Sequence, residues 1–562
     1  MDKENIYYLK HPYKTNMKKT FMTILMAVAA LTATAQEANY NVVPLPQNIT
    51  LNKTKAFVLN PQTVIVTEDN EAMLRNAEFL KDFIKQTTGL QVADAATKGS
   101  NSIVLKLSKK ISADEGYSIK VTANKVLIEG KTPAGVFYGI QTLRKSLPVN
   151  KHCGKHAHHA MTSITLPAGV INDQPRFGYR GGMLDVGRHF FPMSFIKEYI
   201  DMLALHNLNT FHFHLTEDQG WRVEIKKYPK LTEIGSKRAQ TVIGHNSPVY
   251  DETPYGAYFT QDELREIVKY AADRYITVIP EIDMPGHMRA ALAAYPEYGC
   301  TGGPYTVAEE WGVFDEILCA GKEETFTFVQ NILDEIMDIF PSKVIHIGGD
   351  EAPRTEWQKC PRCQKRIEEL NLQGRDGFSK EAQLQGYFMN RISKYLASKG
   401  RTVIGWDELL EGDVDPGTTI MSWRGTEGGI KATERGLNVV MSPTTYHYFD
   451  YYQNKDQSIR LIGGYLPIET VYSYDPVPAD ASAEMKKHVI GTQANLWTEY
   501  ITCRHLAEYQ LLPRLAAMSE TAWSDNSKKD FNSFREREKK LAKLYDKFDW
   551  TYAKDMWKEE KK

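Results

Sequence analysis

Two adjacent carboxylates, Asp350 and Glu351, end the stretch Lys343-Val344-Ile345-His346-Ile347-Gly348-Gly349-Asp350-Glu351-Ala352-Pro353. Neighbouring anions repel unless their labour divides, one kept protonated and one held ionised, which is the arrangement acid–base chemistry needs. Acidic residues also cap helix N-termini, so the pair alone does not decide its use. The rest of the chain supplies the context. Polar and aromatic clusters recur along it: Asp185-Val186-Gly187-Arg188-His189; His212, His214, Glu217 and Asp218; Glu281, Asp283 and His287. Further on stand Trp406-Asp407-Glu408, Trp423-Arg424, Tyr448 with Asp450, and Trp497 with Glu499.

Each cluster follows a short apolar run. Before Asp350 the run is Val344, Ile345 and Ile347, β-branched and strand-like; two glycines then permit a sharp turn and Pro353 forbids further pairing. Eight such strands are predicted: Gly182–Asp185, Thr210–Leu215, Thr277–Ile282, Val344–Gly348, Thr402–Trp406, Thr419–Trp423, Asn438–Ser442 and Val489–Leu496. Amphipathic helices fall between most of them, for example Met193–His206, Gln261–Tyr275, Thr325–Phe340 and Ser379–Ser398. Alternating strand and helix implies a parallel sheet, and eight repeats imply closure into an α/β fold of the (β/α)₈ TIM-barrel type. In such a barrel the strand ends converge on one mouth, so the clusters would share one site.

Residues 36–167 read differently, as a small α+β domain with a hairpin (Gly116–Val121 with Lys125–Ile128) and helices over 71–89 and 132–147. The barrel is expected over 168–525, closing with a helix near His505–Trp523, and residues 526–562 form a charged helical tail. No Gly-x-Gly-x-x-Gly or Walker-type loop follows any strand, which argues against a nucleotide cofactor.

Two chemistries compete for this mouth. His212-x-His214 puts two imidazoles on one strand face, as a metal-dependent amidohydrolase requires. Such a site also needs ligands at later strand ends, and the eighth offers Trp497 and Glu499 without a His. Glycoside hydrolysis instead needs a proton donor at the leaving oxygen and a nucleophile or anion at the anomeric carbon. Tryptophans at three strand ends suit a sugar ring. Neighbouring strand residues point to opposite faces, so Asp350 and Glu351 are poorly placed as a facing acid–nucleophile pair. The difficulty disappears if an N-acetyl group on the sugar provides the nucleophilic oxygen.

Jointly, His346-Ile347-Gly348-Gly349-Asp350-Glu351, Leu184-Asp185-Val186-Gly187-Arg188-His189, Phe211-His212-Phe213-His214-Leu215 and Glu281-Ile282-Asp283-Met284-Pro285-Gly286-His287 resemble glycoside hydrolase family 20, the exo-acting β-N-acetylhexosaminidases. The stretch Ala134–Leu143 resembles that family's N-terminal domain. The resemblance implies a retaining, substrate-assisted mechanism through an oxazolinium intermediate, acting on glycans that end in β-linked N-acetylglucosamine or N-acetylgalactosamine, without metal or cofactor. It implies Glu351 as general acid/base, its pKa raised by burial and by Asp350. Asp350 would accept from the acetamide N–H, and Tyr448 would donate to the acetamide oxygen. Tyr448 is chosen over Tyr446, Tyr451 and Tyr452 by its Tyr-x-Asp spacing to Asp450. Arg188 would fork onto sugar hydroxyls; Asp450 and Glu499 would accept from hydroxyls near carbons 4 and 6. Trp406, Trp423 and Trp497 would wall the pocket, and Asp218 with His287 would buffer the acid. His212 and His214 are expected to pack behind the site.

The chain has 562 residues, 42% hydrophobic and 25% charged, with a formal net charge of −1. That balance suits a globular enzyme and gives no basic surface for nucleic acid. From Met17, Lys18-Lys19, an apolar run Phe21–Leu31 and Ala33-Thr34-Ala35 read as a signal peptide ending at residue 35, with Met17 the expected initiator. The run is short for a membrane span, so an exported protein, periplasmic or extracellular, is expected. Of the six cysteines, Cys360-Pro361-Arg362-Cys363 has no matching second pair and is expected to form a local disulfide; Cys300 and Cys319 are a second candidate pair. His152, His156, His158 and His159 read as a solvated loop.

Overall fold

The computed structural model of the protein describes residues 36–93, 101–150 and 161–554. The expected signal peptide and the His152–His159 patch lie outside the described residues. The eight expected strands all form and close into one parallel barrel. They are β1 (Tyr179–Asp185), β2 (Thr210–His214), β3 (Thr277–Glu281), β4 (Val344–His346), β5 (Thr402–Trp406), β6 (Thr418–Ser422), β7 (Val439–Met441) and β8 (Val489–Leu496). β8 pairs back onto β1, Leu496 opposite Leu184, which removes every free edge.

Alternation along each strand sorts the side chains into two layers. Ile345, Ile347, Phe211, Phe213 and Val403 join the large core between strands and surrounding helices. Met183, Ile279, Ile404, Met421 and Val440 form a separate cluster that also contains Trp406, Tyr448 and Trp497. His212, His214, Glu281 and His346 share the parity of this inner cluster and are fully buried. Glu281 Oε2 lies 2.9 Å from His212 Nε2 and also contacts His214 Nδ1; Glu281 Oε1 lies 2.9 Å from His346 Nδ1 and accepts from Trp406 Nε1. The four inward groups of β2, β3 and β4 therefore make a polar plug beneath the mouth.

Helices between strands follow the predicted amphipathic pattern: Met193–Leu205, Gln261–Ala272, Glu323–Ile339 and Lys380–Ser398 bury one face each. Gln261–Ala272 opens with a capping box, Thr260 and Glu263 satisfying each other's backbone N–H groups. The expected closing helix is split by Pro513 into Arg504–Leu511 and Arg514–Trp523, because a proline interior to a helix removes a donor and clashes with the preceding turn.

The N-terminal unit is a six-stranded sheet with helices Glu71–Thr88 and Pro133–Ser146 packed together against it. It does not end at Pro167. Gly169–Asp173 pairs with both Asn48–Leu51 and Tyr117–Val121, so this sheet continues to Asp173. The seam to the barrel is polar: fully buried Arg180, in β1, forks onto half-buried Glu115 at 2.7 and 3.0 Å and donates to the Tyr138 hydroxyl. Helix Phe531–Phe548 of the charged tail also docks. It buries Phe534, Leu541 and Tyr545, and Arg537 donates to Glu520 Oε1 at 2.7 Å and to the Val42 carbonyl at 3.0 Å.

Candidate active site

At the end of β4 the backbone enters the left-handed region at Gly348 (φ 64°) and Gly349 (φ 104°). A Cβ on Gly348 would lie 1.6 Å from Asp283 Oδ1, and one on Gly349 would lie 2.2 Å from a Leu409 methyl. No other residue fits, and the turn aims the next two side chains at the mouth. Asp283 Oδ1 accepts from Gly349 N–H at 3.1 Å and so pins this turn to the loop after β3.

Asp350 and Glu351 border a cavity of about 150 Å³ lined also by Arg188, Trp406, Trp423, Thr444, Tyr448, Asp450, Tyr451, Ile462, Trp497 and Glu499. A larger cleft of about 780 Å³ lies on the seam between the domains, beside Phe83 and Arg144, and touches none of the strand-end clusters. Thus seven of the nine side chains expected to bind substrate line one small cavity with the carboxylate pair. Asp218 and His287 stand behind it.

The walls are aromatic and the far end is charged. Trp406 and Trp497 rings lie 5.9 Å apart, Trp423 stacks near Tyr448 at 6.1 Å, and the Arg188 guanidinium sits 5.1 Å over Trp497. Arg188 is 2.9 Å from Glu217, 3.2 Å from Asp185 and 3.6 Å from Glu499, and these carboxylates hold it well above the ordinary guanidinium range despite burial. Of the four clustered tyrosines, Tyr448 and Tyr451 reach the cavity, Tyr446 stacks on Tyr474 at 4.4 Å, and Tyr452 accepts from Leu461 N–H. Asp350 Oδ1 and Asp450 Oδ1 are buried without a hydrogen-bond partner among the described residues. Burial pushes Asp450 well above the usual carboxylate range, and it also raises Glu499 although Arg188 opposes. Unsatisfied buried acceptors cost free energy until a donor meets them.

Asp350 and Glu351 differ in environment. Asp350 is 8% exposed, and burial raises its carboxyl to about 6, with Glu281 and Glu351 adding to the rise and His287 opposing it. The Glu351 side chain is 41% exposed and its backbone φ is 44°, in the left-handed region. Its carboxyl lies below the ordinary value, chiefly through the hydrogen bond with His287. The expectation of a raised pKa at Glu351 is therefore corrected for the free site: solvent reaches this carboxyl, and a cationic neighbour holds its charge. His287 Nε2 lies 3.7 Å from Asp350 and 3.6 Å from Glu351, while Nδ1 faces Glu217 and Asp218 at 3.0 Å each. Those carboxylates outweigh the burial of His287 and keep it protonated well above the usual imidazole range.

Glu217, Glu281, Asp283 and Glu408 had no assigned role in the sequence reading beyond ending strands. Here Glu217 links Arg188 to His287, Glu281 anchors the histidines, Asp283 holds the β4 turn, and Glu408 accepts from Trp423 Nε1 at 2.9 Å. Alternation along the strand was the available signal for Glu281, which in the barrel stands directly opposite both His214 and His346. Nothing local marked Ile462, which reaches the cavity from the long segment between β7 and β8.

Residues 177–526 match the sequence profile described as "Glycosyl hydrolase family 20, catalytic domain", and residues 39–174 match "Glycosyl hydrolase family 20, domain 2". A beta-hexosaminidase of Porphyromonas gingivalis is 40% identical over 534 residues, covering 92% of this chain; the chain spans 66% of that relative's length, just under two thirds. A beta-hexosaminidase of Akkermansia muciniphila is 34% identical, covering 75% of this chain and 82% of its own length. The solved structure of a Vibrio harveyi exo β-N-acetylglucosaminidase in complex with N-acetylglucosamine superposes with a TM-score of 0.80 at 30% identity, over 93% of this chain and 80% of that one.

Proposed function

The chain belongs to glycosyl hydrolase family 20, and from that premise we propose that it removes terminal β-linked N-acetylglucosamine or N-acetylgalactosamine from glycans by a retaining, substrate-assisted route. The observation that carries the reading is the unlike pair at the end of β4. Asp350 is buried, borders a Trp-walled cavity and has one unpartnered oxygen, and Glu351 is half exposed beside a protonated His287.

In this reading the acetamide carbonyl oxygen attacks the anomeric carbon while Glu351 passes its proton to the departing glycosidic oxygen. The C–O bond to the leaving group breaks as the oxazolinium ring closes, and the positive charge falls on the acetamide nitrogen beside ionised Asp350. Tyr448 donates its hydroxyl hydrogen to the acetamide oxygen and orients it. Glu351, now anionic, takes a proton from water, which opens the ring with net retention. A sugar seated against Glu351 displaces its water, and that desolvation raises the carboxyl into the range an acid needs. Arg188, Asp450 and Glu499 take hydroxyls at the far edge, which gives the orphaned Asp450 oxygen a partner, and the small cavity of about 150 Å³ suits exo action on a single terminal sugar. Trp406, Trp423 and Trp497 cover its apolar faces. The run Met17–Ala35 supports export to the periplasm or cell surface.

Hydrolysis of an aryl β-N-acetylglucosaminide and its galacto epimer tests this reading. Wild-type turnover of at least one, lost in Glu351→Gln, is expected. A wild-type chain inert to both, or full activity in Glu351→Gln, removes it.

A further inference from the structure

Outside the cavity, four cysteines from three segments meet at one point. Cys300 follows the short turn Pro296–Tyr298, Cys319 follows Leu318, and Cys360 and Cys363 flank the start of helix Pro361–Glu369. Cys360–Cys363 is the expected local disulfide and Cys300–Cys319 the second candidate pair. None is bonded: the sulfurs lie 3.6 Å (Cys319–Cys363), 3.8 Å (Cys300–Cys363) and 3.9 Å (Cys319–Cys360) apart, and all four fall within 4.8 Å of one another.

A disulfide requires a sulfur separation of about 2.05 Å. Four sulfurs at ~2.3 Å from a tetrahedral zinc ion are separated by ~3.8 Å; three of the six sulfur pairs lie at 3.6, 3.8 and 3.9 Å and the rest within 4.8 Å. The surroundings are built to hold such a site. Cys319, Cys363, Leu318 and Trp357 are fully buried, and Trp357 Nε1 donates to the Leu318 carbonyl at 2.9 Å. The Cys319 thiol accepts from the Gly321 backbone N–H, a donor that stabilises a thiolate. Gly321 itself allows the crossing of the two chains, since a Cβ there would lie 2.4 Å from the Arg362 carbonyl carbon. The Lys322 ammonium donates to the carbonyls of Glu297 and Gly299 and brings a cation to the Cys300 loop.

We propose that Cys300, Cys319, Cys360 and Cys363 bind a structural zinc ion as four thiolates. Binding releases the four thiol protons to solvent and leaves a net charge of −2 on the cluster; no oxidation or reduction takes place. All four positions are filled by protein, so the ion has no open coordination place and takes no part in hydrolysis. The C-x-x-C motif thus has its matching pair, supplied by Cys300 and Cys319 from the long segment between β3 and β4. The ion staples the two loops that carry the candidate acid machinery. Leu318 N–H bonds to the Pro285 carbonyl at 3.0 Å, two residues before His287, and a Cβ on Gly286 would lie 3.1 Å from Ala352 Cα, next to Glu351. The expected absence of any metal is therefore revised for the protein as a whole.

The test uses the full chain purified without chelator or added metal. Elemental analysis is expected to find about one zinc per chain, released in step with titration of the buried thiols by an organomercurial. Protein produced with cobalt is expected to show the intense visible bands of a tetrahedral cobalt thiolate. The Cys360→Ser/Cys363→Ser variant is expected to lose the metal and melt earlier. Metal-free wild type with these cysteines in disulfides, metal-free wild type with all four thiols freely alkylated under native conditions, or iron in place of zinc would each overturn the proposal. The metal count on wild type does not depend on how the variant folds or on whether the chain hydrolyses any glycan.

Discussion

Replacing Asp350 by Asn removes a charge while keeping shape, and the structure attaches two opposite consequences to it. The developing cation on the substrate nitrogen would sit ~4 Å from this carboxylate; at an effective dielectric of ~20 that is worth about 4 kcal/mol, or ~10³-fold in kcat/KM. The same carboxyl is buried and lies at about 6 instead of 3.8, raised by burial and by Glu281 and Glu351. Between those two pH values the folded state holds a proton that the unfolded chain has released. Stability from this group therefore falls as pH rises through the window, and at pH 7 the ionised form costs on the order of 2–3 kcal/mol. Asn removes that cost. The Asp350→Asn variant should lose ~10³-fold in kcat/KM while its Tm rises by ~2–5 °C at pH 7, a gain that fades by about pH 4. Wild-type kcat/KM should fall as pH drops through about 6, where Asp350 takes up its proton, and the variant should lack that limb. The assay is aryl N-acetylglucosaminide hydrolysis across the acid range, with thermal melts on the same samples. A loss below tenfold, or an acid limb near 6 that persists in the variant, would refute the assignment of Asp350.

Three further outcomes are expected. Arg188→Lys keeps the charge but loses the fork between Glu217, Asp185 and Glu499; KM for the aryl substrate should rise ~10–100-fold with a smaller change in kcat. Trp497→Ala removes the ring beneath Arg188 and beside Trp406, and kcat/KM should drop ~10–100-fold, read with the same substrate. Arg537→Ala removes the charge partner of Glu520, whose carboxylate is 1% exposed and keeps only the neutral donors of Tyr472 and Leu45, and should cost ~3–5 kcal/mol of stability in denaturant unfolding while activity at low temperature is kept.

By itself the sequence determined the barrel and most of the candidate site, because both rest on short-range rules. A run such as Val344–Ile347 can only be a buried strand, a (β/α)₈ closure gathers all strand ends on one side, and residues placed just after each strand must then meet. Arg188, Asp350, Glu351, Tyr448, Asp450 and the three tryptophans share one cavity for that reason. Strand tips depend on only a few residues: Gly348 and Gly349 already permit the sharp turn after Val344–Ile347.

Tertiary structure alone decided how charge is shared among groups far apart in the chain. Glu351 and Asp350 are neighbours, yet burial lifts one carboxyl and a histidine from another loop lowers the other; pKa values respond to solvent exposure and through-space charge, which adjacency does not encode. The N-terminal sheet reaches past Pro167 to Asp173 because pairing partners at Asn48–Leu51 and Tyr117–Val121 accept one more strand. The cysteines show the same limit most plainly. Spacing of Cys360 and Cys363 favoured a local bond, whereas the fold delivers Cys300 and Cys319 to the same point and holds all four sulfurs at separations too long for a disulfide. A motif states which atoms are available; only packing brings the remaining ligands within coordination distance.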